Sequence, residues 1–363
     1  FGTNWSKYSE YVGDIFGSLL AIEATVAFFL ESTFIAVWHF GWHRVGPKLH
    51  CLCIWLVAIA GNISALWIII ANGFMQHPVG YVIDEAQGRA VLSNFYDVVF
   101  NGFAWGQYAH TILGSWALAG FFVLGVSAWH LLRKSDVDFF HRAFRMVAPF
   151  TLVLCLVLAI SGDEQGKSVA EHQPVKLAAM EAHWHTGKNV PFYLFVIPDP
   201  ANERNSVEFL GIPSRLSWIS YGSADAEVKG LLDYPPTDRP PVSEVFWNFR
   251  GMVALGVIFI ALSLWATWQR KKEEQNPWLL KCLVWNVPLP YIALMLGWAV
   301  AEIGRQPWIV YNLMRTSDAV SPIPTSSVGL SLIAFTILYT VLGVLDIYLL
   351  AKYALAGPKA QEA

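Results

Sequence analysis

Five charged side chains lie inside otherwise apolar stretches of the chain: Glu23, Glu31, Arg250, Glu302 and Asp346. A charge at mid-membrane costs at least about 2.5–3.5 kcal/mol, so each is a functional candidate by default. Glu23 and Glu31 stand eight residues apart. On an α-helix that is about 2.2 turns, which puts two carboxylates on one face about 12 Å apart along the axis. One reading is a pair of polar contacts to neighbouring helices; the other, with Ser32 beside the second carboxylate, is a proton relay. Asp346, close to the end of its stretch, reads as a solvated or snorkelling group.

His110 and Met252 lie near the ends of two different apolar stretches that share a side by the orientation worked out below. A histidine and a methionine from two helices at one depth can ligate a heme iron from opposite faces. Each residue alone has an ordinary alternative: the histidine as a packed polar group, the methionine as core filler. Arg250, on the same turn as Met252, adds weight, because heme propionates take cationic partners. Glu302 closes its helix in the run Ala301-Glu302-Ile303-Gly304-Arg305-Gln306-Pro307-Trp308. Glu302 and Arg305 are also spaced for a structural ion pair.

The elements that position these groups follow from composition. Of 363 residues, 55% are hydrophobic, only 14% are charged, and the net charge is -3. A soluble domain carries about 25% charged residues, so the chain reads as an all-α, polytopic transmembrane helix bundle. Its 15% aromatics, 17 of them Trp, suit two membrane–water interfaces. No basic excess points to nucleic acid. The four cysteines (Cys51, Cys53, Cys155, Cys282) lie in or beside apolar runs and read as buried, inert thiols.

Seven stretches are long enough to cross a bilayer, over 17–42, 50–75, 102–132, 144–163, 246–268, 279–304 and 327–352. The alternate connections and the tail hold twelve Lys or Arg on one side, against four in the short loops of the other. That puts the first set in the cytoplasm. One long outer loop, 166–245, holds nine of the 19 Pro, which disfavours long helices and favours an ordered, irregular surface. The chain therefore divides into membrane helices over 1–165, an outer loop over 166–245, and membrane helices with a cytoplasmic tail over 246–363.

Several motifs together carry a resemblance to a known family. Gly13-Asp14-Ile15-Phe16-Gly17, Leu20-Ala21-Ile22-Glu23 and Phe28-Phe29-Leu30-Glu31-Ser32-Thr33 are followed by Ser64-Ala65-Leu66-Trp67-Ile68 and Ala71-Asn72-Gly73-Phe74-Met75-Gln76. Then come Lys176-Leu177-Ala178-Ala179-Met180-Glu181-Ala182 and Gly304-Arg305-Gln306-Pro307-Trp308. In this order, from Phe1 to about Leu355, they resemble subunit I of the cytochrome bd ubiquinol oxidases. The resemblance implies a heme-bearing, multi-pass subunit of a terminal oxidase in the bacterial inner membrane, working with oxidase subunit II and a small single-span subunit among membrane lipid. It implies a low-spin heme b on His110 and Met252, supported by Arg250. It places Glu302 as the carboxylate ligand of a high-spin pair, heme b with heme d or a further heme b. Glu23 falls beside those hemes, and Trp298 and Arg305 fall next to them. Glu31 and Ser64 fall on a proton path from the cytoplasm, and Lys176 and Glu181 on the loop that oxidises ubiquinol.

Two departures from the family pattern stand out. The motifs start partway into it, so about two helices, including one that supplies a histidine ligand, are expected ahead of Phe1. The outer loop is short, as in the short-loop or cyanide-insensitive branch. Quinol oxidised outside and O2 reduced to water with protons from inside separate charge without pumping. Two other classes compete: a transporter or proton channel built on Glu23, Glu31 and Glu302, and a heme b subunit that passes electrons on without handling O2. His183 and His185 read as solvated loop residues, and His39, His43 and His130 as interfacial ones.

Overall fold

The computed structural model describes residues 4–358. Among them, six helices are long and apolar enough to cross a membrane, and a bent pair makes a seventh. The helices are α1 (Ser6–Ile22), α2 (Phe29–Phe40), α3 (Pro47–Gln76), α4 (Phe95–Val99), α5 (Gly102–Arg133) and α6 (Val137–His172). They continue with α7 (Pro174–Met180), α8 (Arg215–Tyr221), α9 (Val242–Gln269), α10 (Pro277–Asn286), α11 (Leu289–Ile303) and α12 (Thr325–Ala356). Three antiparallel hairpins sit in the connections: β1 (Tyr81–Asp84) with β2 (Arg89–Leu92), β3 (Phe192–Asp199) with β4 (Arg204–Ile212), and β5 (Trp308–Val310) with β6 (Met314–Arg315).

The described residues fold as two compact units, 4–112 with 307–322, and 113–306 with 323–358. In the first, α1 buries Tyr8, Val12, Ile15 and Leu19 at helical spacing against Ile70, Ala71 and Phe74 of α3. Val310, Met314 and Ala319 close the same core, and the Tyr311 N–H donates to the Met75 carbonyl at 2.9 Å. The second unit packs Phe121 and Leu124 of α5, Phe144 of α6, Phe259 of α9, and Leu279 and Leu283 of α10. By contrast α12 has no buried residue. Its C-terminal end is held by His130, whose Nε2 lies 2.8 Å from the Ala354 carbonyl while Nδ1 lies 2.7 Å from Ser135 Oγ. The His130 ring stacks on Phe140 at 4.0 Å. A residue expected as a plain interfacial histidine is thus a buried staple.

Three elements differ from the sequence expectation, each for a physical reason. The first span is not a plain α-helix: residues Glu23–Phe28 form a π-helical turn between α1 and α2. Residues in that wider turn advance less around the axis, so Glu31 sits further back around the helix from Glu23 than a regular α-helix would place it. The fourth span runs well past its apolar stretch, to His172, because Lys167 pairs with Asp163 and Glu164 at 2.7 Å each and supports the polar turns. The sixth span is broken: α10 and α11 meet at 40°. Pro288 and Pro290 have no N–H to donate back along the helix, so the ladder stops after Asn286 and restarts. Of the cysteines, Cys53 and Cys155 are buried, whereas Cys51 and Cys282 are exposed.

Small residues set how closely α5 approaches its neighbours. A Cβ on Gly125 would lie 2.2 Å from Val287 Cγ2 and 3.1 Å from the Leu283 carbonyl oxygen. Gly125→Ala is therefore expected to lower thermal stability by about 1–3 kcal/mol through overpacking, more than the helix propensity it gains. Gly256→Ala, where nothing lies within 4 Å of the added Cβ, is expected to be neutral or to stabilise by up to about 1 kcal/mol. Melting curves of the purified protein in detergent check both.

Candidate functional site

The second unit gathers most of the candidate side chains around the ends of α7, α9 and α11. Pro174 opens α7 at its first position, where a missing N–H costs nothing. The short helix then buries Lys176 and delivers Glu181 at its C-terminal cap. Arg250, two turns into α9, donates from Nη2 to Glu181 Oε2 at 2.6 Å; the side chains are 16% and 8% exposed. The same guanidinium lies over the rings of Phe192 and Phe246, at 4.5 and 5.2 Å. Its Nε is buried without a partner among the described residues.

Burial is the chief influence on Glu181 and raises its pKa to about 7; the Arg250 charge and hydrogen bond oppose that rise. Lys176 moves the other way. Burial, assisted by the Arg305 charge, lowers its pKa to about 7, with Glu302 pulling in the opposite sense. Its Nζ donates to the Ala301 carbonyl at 3.2 Å. Gly304 makes room for its stem, since a Cβ there would lie 2.9 Å from Lys176 Cγ. A base and an acid whose pKa values both lie near neutrality, buried five residues apart on one short helix and its cap, are equipped for proton transfer.

On α11, Glu302 accepts from Arg305 Nη2 at 2.6 Å, the carboxylate 40% exposed and the guanidinium 4%. The ion pair read as one alternative from the sequence is present. Met252 and Trp298 are half-buried on α9 and α11. Gly297 faces the methionine: a Cβ there would lie 3.0 Å from Met252 Sδ. Neither the Gly297 and Gly304 clearances nor the Phe192 and Phe246 rings were singled out from sequence. The glycines had a local signal, flanking Trp298 and Arg305; the aromatic rings had none.

The first unit holds the others. Glu23, 5% exposed, opens the π-helical turn and accepts a 2.7 Å hydrogen bond from Ser64 Oγ of α3. The two residues are 41 apart in sequence, so the pairing joins two separate expectations. Glu31 lies half-buried on α2, and His110 half-buried on α5. Three positions from His110, Gln107 is buried and donates from Nε2 to Asn72 Oδ1 at 2.9 Å. In the long connection His185 is exposed, as expected. His183 is only half-exposed, and its Nε2 is buried without a partner among the described residues.

Comparison with known proteins extends this picture along the whole chain. The family model described as cytochrome bd terminal oxidase subunit I matches residues 1–358. The chain is 41% identical over 365 aligned positions to cytochrome bd ubiquinol oxidase subunit 1 of Bacillus subtilis (strain 168), covering 97% of this chain and 77% of that protein. It is 35% identical over 430 aligned positions to cytochrome bd-II ubiquinol oxidase subunit 1 of Escherichia coli (strain K12), covering 100% of this chain and 84% of that protein. Among solved structures, the bd oxidase of Geobacillus thermodenitrificans superposes with a TM-score of 0.87 at 29% identity, over 98% of this chain and 81% of that one.

The Arg250–Glu181 pair gives a pH-dependent prediction. Because the folded state raises the Glu181 pKa from 4.5 to about 7, stability tied to its neutral form is full below the unfolded value. It is lost as pH rises through about 7. Arg250→Met removes the partner of the ionised form, a loss of up to about 3–5 kcal/mol for a buried pair. The drop in melting temperature is expected to be larger one pH unit above about 7 than one unit below. The double variant Arg250→Met/Glu181→Gln is expected to remove that difference.

Proposed function

Because the chain belongs to the cytochrome bd terminal oxidase subunit I family, we propose that its buried α7 turn oxidises quinol on the outer face of a bacterial inner membrane. The chain is the subunit I of a quinol:oxygen oxidoreductase, a multi-pass membrane protein that works with a subunit II. The observation that carries the proposal is the Lys176–Glu181 segment, where burial lowers the pKa of the amine and raises that of the carboxyl, each to about 7. In this reading the Glu181 carboxylate takes a proton from a quinol hydroxyl, and Arg250 holds that carboxylate in place. Lys176 donates a hydrogen bond to the substrate's oxygen. The positive-inside count supports release of those protons outside.

The cofactor assignment is proposed on the same basis. A low-spin heme b is assigned to His110 and Met252, each described within its own unit. The partnerless Nε of Arg250 fits a propionate partner, and Met252, half-buried against Gly297, is the thioether assigned as ligand. Glu302 is assigned to a high-spin heme b, with heme d or a further heme b beside it. Trp298 and Arg305 are assigned next to that heme pair, and Glu23 is assigned beside it. Bound heme supplies one-electron transfer and, at an iron with an open position, O2 reduction. Arg305 orients the Glu302 carboxylate through their 2.6 Å contact.

Protons for water formation are assigned to a cytoplasmic route through Glu31 and Ser64 to Glu23. The Ser64–Glu23 hydrogen bond supports that order, because a hydroxyl that both donates and accepts can pass a proton to a buried carboxylate. Uptake from inside with release outside generates a proton gradient without pumping. The short-loop type is supported by the alignment lengths: 430 positions with the Escherichia coli relative against 363 residues here, so that relative carries segments this chain lacks. A small single-span subunit and bound lipid complete the proposed assembly.

Glu181→Gln is the direct test. It is expected to lower quinol-driven O2 uptake by about 10²-fold, in keeping with loss of a general base, while the heme spectrum stays intact. The rising limb of the wild-type rate through pH of about 7 should disappear in the variant. A variant with normal rate and normal pH profile contradicts the assignment. His110→Ala and Met252→Ala are each expected to remove the low-spin heme signal from the reduced-minus-oxidised spectrum; an unchanged spectrum overturns the ligand pair.

A further inference from the structure

We propose that the β3–β4 hairpin is a membrane-contact element that lays an uncharged strip on the acyl–glycerol region of the lipid leaflet around α9. Four side chains form the strip: Phe195, Ile197, Val207 and Phe209, exposed by 60, 48, 44 and 60%. They share one face because Phe195 pairs with Phe209 and Ile197 with Val207 across the ladder. The two phenyl rings stand 6.4 Å apart. On the opposite face Val196 is 4% exposed and seats that part of the hairpin on protein, while Leu194 and Leu210 are 48 and 50% exposed. A segment outside the spanning helices that faced water would not keep four large apolar side chains in a row.

The position of the hairpin selects lipid as the occupant. At its base Phe192 lies under the Arg250 guanidinium at 4.5 Å. Arg250 is eight residues inside α9, about 12 Å beyond the start of that helix. The hairpin base is therefore level with the first turns of a spanning helix, where the exposed Trp247 of α9 also suits a headgroup-depth anchor. Charged residues gather at the far end, with Asp199, Glu203 and Arg204 around the turn, and Glu208 lies on the face opposite the strip, across the ladder from Val196. An uncharged strip that starts from the level of a spanning helix's first turns, with the charges at the tip and on the other face, is the distribution of an interfacial element. The inference rests on the chain's crossing a membrane and is independent of the quinol assignment.

The experiment uses the complete oxidase in phosphatidylcholine–phosphatidylglycerol nanodiscs, with the exposed Cys51 and Cys282 replaced by Ser. Bimane is attached at Phe195→Cys, at Phe209→Cys and at Asn202→Cys in the turn. Lipid with a nitroxide near the head-group end of its acyl chain is expected to quench the first two at least about twofold and the third by under about a tenth. Absence of quenching at both strip positions overturns the proposal. Water-like emission would then mean a solvated strip, and blue-shifted emission a strip covered by protein. Each variant is scored only if its heme spectrum is unchanged. If both phenylalanine variants lose it, Val207→Cys, the smallest change on the strip, decides by the same criterion.

Discussion

A charge in an apolar bundle has to be met by another charge or by a hydrogen bond, and the candidate site is organised by that requirement. Glu181 is met by Arg250 at 2.6 Å, Glu302 by Arg305 at 2.6 Å, and Glu23 by Ser64 at 2.7 Å. Each partner comes from a place its helix geometry dictates: a neighbouring span, the next turn of the same chain segment, or the facing wall of α3. The partial compensation matters as much as the pairing. Arg250 offsets the cost of burying Glu181 without cancelling it, so the carboxyl remains poised near neutrality and can change its proton occupancy during turnover.

That poise ties packing to chemistry. Lys176 reaches its position because Gly304 has no side chain, and the Met252 thioether packs against Gly297 because Gly297 has none. The broken α10–α11 span serves the same end: α11 starts afresh after Pro288 and brings Trp298, Glu302 and Arg305 to the level of the α7 turn. Where the first unit needs a carboxylate turned toward α3, a π-helical turn starts at that residue.

Much of this was legible in the sequence, for identifiable reasons. Apolar runs of membrane length announce themselves, and a charge within one stands out against its surroundings. The Gly304-Arg305-Gln306-Pro307-Trp308 run marks a helix end with a charged pair, and the Lys176 to Glu181 segment carries a family pattern. The pairings were not legible. Arg250 and Glu181 are 69 residues apart, and charge alone suggested an anionic partner for Arg250 without saying which. The π-helical turn has no composition of its own. The β3 strand was hidden because both of its faces are apolar, so the alternation that betrays a half-buried strand is absent from it. The break in the sixth span did have a signal in Pro288 and Pro290, masked by the continuous hydrophobicity around them.

The central claim is that one buried carboxyl, held by one arginine, exchanges a proton with quinol near neutral pH. Reaction-induced infrared difference spectroscopy of the complete oxidase measures that carboxyl directly. A protonated-carboxyl band is expected to change when quinol is oxidised, to titrate at about 7, and to be missing in Glu181→Gln. A band that persists in that variant, or one that titrates in the ordinary glutamate range of about 4.3, contradicts the account.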